Sequence, residues 1–194
     1  MEIKTLKSSF NGNVKKIYHT ADIHIRLSSD RHKEYREVFR RLYELLKGDI
    51  ENSIIVVCGD ILHSKNELSP ECVDLTIEFI KNLSGIMDVI MIMGNHDGNL
   101  SNKTKMDSLS PLIREIKGKH QIHYLLNSGV YKYNNINFGV SSIFDDQFIN
   151  AADIENDGNL KIALYHGPLH GSITDVGFRM NQSELTIDAF AGYD

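Results

Sequence analysis

Compact apolar runs alternate with longer segments of helical periodicity along roughly the first 120 residues. Runs of this kind predict strands of a buried sheet, and they lie at 14–19, 54–58 and 89–93. Apolar positions three and four residues apart predict helices, from Asp30 to about Lys47, from Ser69–Pro70 to about Leu83, and around 109–116. The buried face of the first helix would comprise Tyr35, Val38, Phe39, Leu42, Leu45 and Leu46.

Beyond residue 120 the pattern changes to closely spaced strands. Strands are predicted at 121–126, 131–133, 136–140 and 161–165. Asn134 and Asn135 would form the turn of a hairpin, since asparagine tolerates the positive φ that such turns need. Strand–helix alternation followed by a hairpin predicts an α/β fold (α+β by some schemes), with a layered β-sandwich flanked by helices.

Composition limits the class of protein. A length of 194 residues with 41% hydrophobic residues suits one domain, 1–194, with a sizeable core. No apolar run approaches the roughly 20 residues of a membrane helix, and the N-terminus lacks the layout of a signal peptide. Cys58 and Cys72, the only cysteines, are expected to be reduced core thiols. We therefore expect an intracellular protein of the cytoplasm or nucleus.

Charge alone does not indicate a nucleic-acid-binding protein, because 21 basic against 26 acidic residues give a net charge of -5. The distribution is uneven, however. Basic residues concentrate at 26–41, including Arg26 and Arg31. Two more, Lys103 and Lys105, come shortly after the polar segment at 94–97. These residues form either a solvated helix face or a surface that contacts a phosphate backbone.

Four predicted strands are each followed by a polar cluster. The clusters are Asp22-Ile23-His24, Gly59-Asp60-Ile61-Leu62-His63, Gly94-Asn95-His96-Asp97 and His166-Gly167. Because sites form at the carboxyl edge of such sheets, these side chains are expected to converge. Carboxylate, imidazole and amide ligands suit Mn, Fe or Zn better than Ca, and the lack of thiolates argues against a structural zinc site.

The same residue types can support hydrolysis with two metals. A bridging carboxylate offsets the repulsion between two cations about 3.5–4 Å apart, and paired metals activate water and hold a phosphoryl oxygen. A histidine outside the metal shell can protonate the leaving oxygen. Each motif is weak evidence alone, but all four in this order, each after a strand, are strong evidence.

The set resembles the calcineurin-like metallophosphoesterase superfamily, and the segments HTADIH, GDILHSKN and MIMGNHD are most similar to the SbcD / Mre-eleven double-strand-break repair nucleases. The resemblance spans roughly residues 15 to 194 and implies a metallophosphoesterase-type sandwich. It implies the first metal on Asp22 and His24, a bridge at Asp60, and the second metal on Asn95 and His166. The family uses manganese, so two Mn²⁺ ions are the expected cofactors.

The resemblance also implies catalytic roles. His96 would be the acid that protonates the leaving group, Asp97 would orient it from behind, and His63 would contact the scissile phosphate. Arg26, Arg31 and Lys103 are the candidate DNA contacts. The expected partners are DNA, an SbcC-type coiled-coil ATPase and a second copy in a homodimer.

One part of the family pattern is missing. The family completes its metal ligands with a GHxH motif on a further strand, and no GHxH occurs in these 194 residues. Either the chain is a fragment, truncated at its C-terminal end, or the protein has an incomplete site, and we favour the fragment. Such a fragment is expected to have little or no activity by itself.

Three hypotheses follow. The first is a metal-dependent DNA exonuclease and endonuclease of double-strand-break repair or recombination. The second keeps the chemistry but acts on a small phosphoester or a phosphoprotein. The third is a scaffold of the same fold without catalysis, which the filled ligand positions disfavour and which metal content would test.

Overall fold

The computed structural model describes residues 2–48, 50–173, 176–181, 183 and 185–194. Within these residues, eight strands form two sheets: β1 (Ile3–Thr5), β2 (Lys16–Thr20), β3 (Ser53–Cys58), β4 (Asp88–Ile92), β5 (Ile122–Leu125), β6 (Gly129–Tyr133), β7 (Ile136–Ser141) and β8 (Leu160–Tyr165). The helices are α1 (His32–Lys47), α2 (Pro70–Ser84) and α3 (Ser110–Glu115). None of the described helices has the length and apolar character needed to cross a membrane.

The first sheet is parallel throughout, in the order β2-β3-β4-β5. Every residue of β3 and β4 is buried, which confirms the prediction of strands covered on both faces. Helices α1 and α2 connect its first three strands, by crossovers of the kind that are right-handed as a rule. Because all four strands are parallel, their carboxyl ends lie at one edge of the sheet.

The second sheet is mixed, in the order β1-β6-β7-β8. β6 and β7 form the predicted antiparallel hairpin, and Asn134 in its turn has a φ of 49°. β8 runs parallel to β7. The sheet also contains β1, which pairs in parallel with β6 and which the sequence pattern did not predict.

Alternation along β3 divides the core into two layers. Ile54 and Val56 contact side chains of the second sheet, such as Phe138. Ile55 and Val57 face the helices, where Phe79 is fully buried. The result is helices on sheet on sheet, which confirms the predicted fold class. Cys58 and Cys72 are free and buried, as expected.

Two details of α1 differ from prediction. Val38 and Leu45 were placed on its buried face, yet they are 59% and 62% exposed. The spacing of apolar residues predicted a buried face that is too wide, because only a narrow face of α1 packs against α2 and the sheet. The helix begins at His32 after a 3-10 turn at Ser29–Arg31, and no side chain caps it, so Asp30 is not its cap.

Candidate metal centre

Backbone hydrogen bonds join the loops that follow β2 and β3, beyond the ends of the two strands. The backbone N–H of Asp22 donates to the Gly59 carbonyl over 3.2 Å, and the N–H of His24 donates to the Asp60 carbonyl over 2.9 Å. The side chains of both motifs are thereby fixed at one edge of the sheet. The GNHD loop follows β4 at the same edge, and His166 follows β8 of the other sheet.

These loops contain strained backbone. Asp22, His24 and Asp60 have φ values of 54°, 50° and 53°, in the left-handed region that side chains other than glycine rarely adopt. Strain of this kind costs on the order of 1–3 kcal/mol for each residue and clusters at functional sites. The three side chains lie close together here, with His24 Nε2 3.6 Å from both Asp22 Oδ1 and Asp60 Oδ2.

Two glycines allow the loops to approach each other. A Cβ at Gly59 would lie 2.7 Å from the His166 ring and 2.8 Å from the Gly94 Cα. A Cβ at Gly94 would overlap the carboxylate of Asp60. Gly59 also has a φ of 78°, so both its conformation and its surroundings require glycine.

Asp22, Asp60 and His166 form one group of potential metal ligands, and their donor atoms all lie within 4.8 Å of one another. Asp60 is central and only 3% exposed. Its Oδ2 lies 3.3 Å from His166 Nε2 and 3.6 Å from His24 Nε2. Asp22 Oδ1 lies 3.6 Å from the same nitrogen of His24. Four of the five predicted ligands therefore converge.

The protonation of His166 indicates what this arrangement requires. Its Nδ1 lies 2.7 Å from the carbonyl oxygen of Cys58, and because a carbonyl can only accept, Nδ1 carries the hydrogen. In the neutral ring, Nε2 then presents a lone pair towards the Asp60 carboxylate. Two lone pairs at 3.3 Å require a proton or a metal cation between them. This observation fits a metal site.

A second group consists of three imidazoles, those of His24, His63 and His96, whose donor atoms also lie within 4.8 Å of one another. Ring centroids are 4.7 Å apart for His24 and His96, and 5.6 Å apart for His63 and His96. The Nδ1 atoms of His24 and His63 are buried without a partner in the described part of the chain. Unpaired buried nitrogens of this kind are costly, which favours a ligand at this position.

His96 is held by one side-chain acceptor and one backbone acceptor. Its N–H donates to Asp60 Oδ1 over 2.8 Å, and its Nδ1 donates to the His63 carbonyl at 2.8 Å. The Nε2 atom is left free to exchange a proton with a substrate. The predicted catalytic histidine is therefore adjacent to the predicted bridging carboxylate.

Asp97 does not hold His96 by direct contact, so that part of the prediction is wrong. Its carboxylate is fully buried and accepts the backbone N–H groups of Leu62 and Gly94, each over 3.0 Å. The His63 carbonyl supplies the bond that Asp97 was expected to make. Burial raises the pKa of Asp97 to about 6. Asp97 thus joins two motif loops.

Asn95 lies between Gly94 and His96, both of which contact Asp60. Its carbonyl accepts a hydrogen bond from Lys65 Nζ over 3.3 Å. Its assignment as a metal ligand stays a prediction. Lys65 was not predicted, because a lysine two residues after His63 carries no distinctive spacing signal; only the folded loops reveal its contact with the Asn95 carbonyl.

Tyr35 and two backbone carbonyls are further positioning groups that sequence analysis missed. The Tyr35 hydroxyl donates to the His24 carbonyl over 2.6 Å, which supports the strained loop from helix α1. The carbonyls of Cys58 and His63 fix the tautomers of two imidazoles. Carbonyls occur at every residue, so the sequence contains no signal for this role.

Electrostatics differ across the site. Burial raises the pKa of Asp60, but hydrogen bonds from His166 and from the His96 backbone outweigh it, so the pKa is lowered overall. Burial lowers the pKa of His166, but the hydrogen bond and charge of Asp60 outweigh this effect, so the pKa is raised overall. Burial and then the charge of Arg26 lower the pKa of His63. His63 therefore favours its neutral form and lies near Arg26.

The predicted DNA contacts are only partly grouped with this site. Arg26 lies close enough to His63 to affect its pKa. Arg31 instead pairs with Glu34 at 3.0 Å, and Lys103 pairs with Asp146 at 2.6 Å. Other arginines of α1 also have acidic partners, namely Arg36, Arg40 and Arg41. These pairs favour the solvated-face interpretation for most of helix α1.

Comparison with known proteins agrees with this geometry. A family model described as calcineurin-like phosphoesterase (Metallophos) matches residues 15–189. A similar sequence is the Uncharacterized protein R555 of Acanthamoeba polyphaga mimivirus, which is 47% identical over 198 residues. That alignment covers 97% of this chain and 15% of R555, so the chain spans about 15% of the length of that relative.

Proposed function

Because this chain belongs to the calcineurin-like phosphoesterase family, whose members are metal-dependent hydrolases of phosphoric esters, we propose that it is the nuclease domain of a protein that cleaves phosphodiester bonds in DNA. The chemistry follows from the family and from the donor groups of the site. The choice of DNA as substrate is our proposal, and it includes exonuclease and endonuclease activity in double-strand-break repair or recombination.

One observation carries the proposal: Asp22, Asp60 and His166 bring their donor atoms within 4.8 Å of one another beside a cluster of three imidazoles. A scaffold without catalysis has no need for strained backbone at Asp22, His24 and Asp60. The strain and the buried unpaired nitrogens are explained together if the site binds cations.

The residues fit two divalent ions, for which manganese is the proposed metal because imidazole, amide and carboxylate ligands all suit it. Asp22 and His24 would hold one ion, Asn95 and His166 the other, and Asp60 would contact both. Such a pair supplies an activated water and a clamp on a phosphoryl oxygen.

The chain's own residues provide the remaining functions. The imidazolium form of His96, with Nδ1–H bonded to the His63 carbonyl, would donate its Nε2 proton to the leaving oxygen and become the neutral ring. His63, kept neutral by burial and by the nearby Arg26 charge, can donate one hydrogen bond to a phosphate oxygen. Arg26 would balance the negative charge of that phosphate.

DNA is favoured over a small phosphoester by the GDxxH histidine, His63, whose ring centroid lies 5.5 Å from that of His24 and 5.6 Å from that of His96. A diester has a charged phosphate flanked by two bulky groups, so it needs a contact outside the metal shell. The acidic overall charge of -5 requires further sources of DNA affinity. We propose that these are a homodimer and an SbcC-type coiled-coil ATPase, which would add avidity.

Three substrates test the proposal with the purified chain and excess Mn²⁺: duplex DNA, bis-p-nitrophenyl phosphate and p-nitrophenyl phosphate. We expect cleavage of DNA and of the diester, at a low rate, and none in EDTA. The matched control is Asp60→Asn, which should remove both activities. Hydrolysis of the monoester with no cut in DNA would instead identify a phosphatase.

A further inference from the structure

A cavity of about 420 Å³ contacts both ends of the GNHD segment, and we call it the flanking pocket. Its wall includes Met93, immediately before the GNHD motif, and Gly98, immediately after it. The remaining walls come from 99–114, 126–127 and 144–145. The volume falls in the range of about 300–1,000 Å³ that is usual for small-ligand sites. None of the proposed metal ligands lines this cavity, so it is a separate feature.

The wall formed by 98–109 is shaped in advance by its own side chains. Asn99 Oδ1 accepts the N–H groups of Ser101 and Asn102, over 3.0 and 3.2 Å. At the other end, Asp107 Oδ1 accepts the N–H of Leu109 over 2.9 Å and the Tyr124 hydroxyl over 3.0 Å. A wall fixed in this way loses little conformational entropy when a ligand binds.

The pocket contains cations that are available to an anion. Arg114 is exposed, and its guanidinium has no ion-pair or hydrogen-bond partner among the described residues. Within the described part of the chain, Lys103 pairs only with Asp146, whose side chain is 83% exposed, and such pairs are weak. The carboxylate of Asp145 instead points to Ser128, whose N–H it accepts over 2.6 Å.

The wall of the pocket also contains apolar groups. The ring of Phe144 packs so closely that a Cβ at Gly98 would lie 2.7 Å from its Cζ, and 2.8 Å from the Met93 sulfur. Met106, also in the wall, is 62% exposed. Aromatic and thioether groups of this kind accept the face of a planar base. The pocket therefore combines an anion contact with a stacking surface.

We propose that the flanking pocket binds the nucleotide next to the scissile phosphate, with its phosphate on Arg114 and Lys103 and its base against Phe144 and Met106. This inference rests on the proposed function and specifies its substrate as a chain of nucleotides. Inorganic phosphate alone would use the cations but not the apolar wall. A purely apolar ligand would leave the cations unused.

Binding can be measured without catalysis, by titrating the thymidine dinucleotide pdTpdT into ¹⁵N-labelled chain in EDTA. We expect amide shifts at Gly98, Asn99 and Phe144, and a dissociation constant that rises at least about tenfold in Arg114→Glu. Lys117→Glu, an equal charge change at an exposed residue outside the pocket, is the matched control and should bind as the wild type does. The spectrum itself reports that each variant is folded.

Three outcomes would overturn the proposal: shifts that avoid these amides, equal weakening in both variants, or equal affinity for inorganic phosphate. Asp60→Asn separates this test from that of the proposed function. The pocket proposal predicts that this variant still binds pdTpdT although it hydrolyses nothing, whereas loss of binding would assign the nucleotide to the metal centre.

Discussion

Asp60, in the loop after β3, and Asp88, the first residue of β4, are both buried carboxylates, 3% and 1% exposed. They lie at opposite edges of the same parallel sheet. Asp88, at the amino edge, accepts hydrogen bonds from the N–H groups of Ser9 and Gln121, each over 2.8 Å, and from the Tyr133 hydroxyl. Asp60 accepts one backbone N–H on Oδ1, while its Oδ2 faces two imidazole nitrogens.

The difference shows that burial of a carboxylate does not by itself mark a functional site. The pKa of both groups is lowered, because hydrogen bonds outweigh burial in each case. What distinguishes them is the chemistry of the partners. Asp88 accepts hydrogen bonds from donors that are present whether or not a ligand binds, and the imidazole Nδ1 of His120 lies farther away, at 3.8 Å, so the role of Asp88 is structural. Asp60 faces ring nitrogens that are themselves ligands.

The largest expected effect is that of Asp60→Asn on metal binding and turnover. Loss of a ligand in contact with both ions should weaken Mn²⁺ affinity more than the roughly 10–100-fold typical of outer-shell changes, and should abolish hydrolysis. Without metal, the free energy of unfolding should fall or stay level, because the lowered pKa of Asp60 means that the fold stabilises its charge. Isothermal titration calorimetry and urea unfolding measure these quantities. Unchanged affinity would contradict the assignment.

His96→Gln tests the other side of the centre. We expect a loss of about 10²–10⁴-fold in kcat, the usual contribution of a general acid, with Mn²⁺ affinity unchanged because His96 is not assigned as a ligand. A diester with a good leaving group, such as bis-p-nitrophenyl phosphate, should lose much less than DNA does. Equal losses on both substrates would argue against proton donation by His96.

Asp88→Asn should affect stability and not activity. Replacing the carboxylate leaves an amide facing buried N–H donors, so we expect a loss of about 1–3 kcal/mol in the free energy of unfolding. Because the folded pKa is lowered, this stabilisation is fully present above the unfolded pKa of about 3.9 and disappears as the pH falls through the folded pKa. The wild type and the variant should therefore converge in urea unfolding below about pH 4. A difference in the free energy of unfolding between wild type and variant that stays constant with pH would contradict this expectation.

The smallest expected effect is that of Glu37, a surface carboxylate with two arginine partners and a side chain that is 45% exposed. Hydrogen bonds from Arg40 and then Arg41 lower its pKa to about 2. Surface pairs of this kind contribute little because solvent screens them, so Glu37→Gln should shift Tm by less than about 2 °C. A large shift, measured by thermal unfolding, would mean that partner number matters more than burial.

Much of the fold was predictable because β3 and β4 are unbroken apolar runs between clear helical patterns. β1 was missed, since its three residues Ile3–Thr5 are too few to show periodicity and pair only with an edge of the second sheet. The exposure of Val38 and Leu45 also depends on which neighbours reach α1. Tertiary packing determines which residues are neighbours of α1, and the spacing of apolar residues along the sequence does not predict it.

At the site, the residue types at strand ends were sufficient to predict the convergence of Asp22, Asp60 and His166. The sequence could not reveal how they are held. Asp97 follows the motif pattern, but its actual partners are backbone amides of Leu62 and Gly94. Hydrogen bonds of this kind depend on loop geometry, and the same sequence motif is compatible with several loop conformations.

The central claim is that Asp22, His24, Asp60 and His166 bind divalent cations at one centre. Crystals grown with Mn²⁺ and measured at the manganese absorption edge test it most directly. We predict anomalous difference peaks within roughly 2.0–2.3 Å of donor atoms from these residues, with Asp60 in contact with each ion. Saturating Mn²⁺ without a peak there, or with peaks only elsewhere on the surface, would contradict the account.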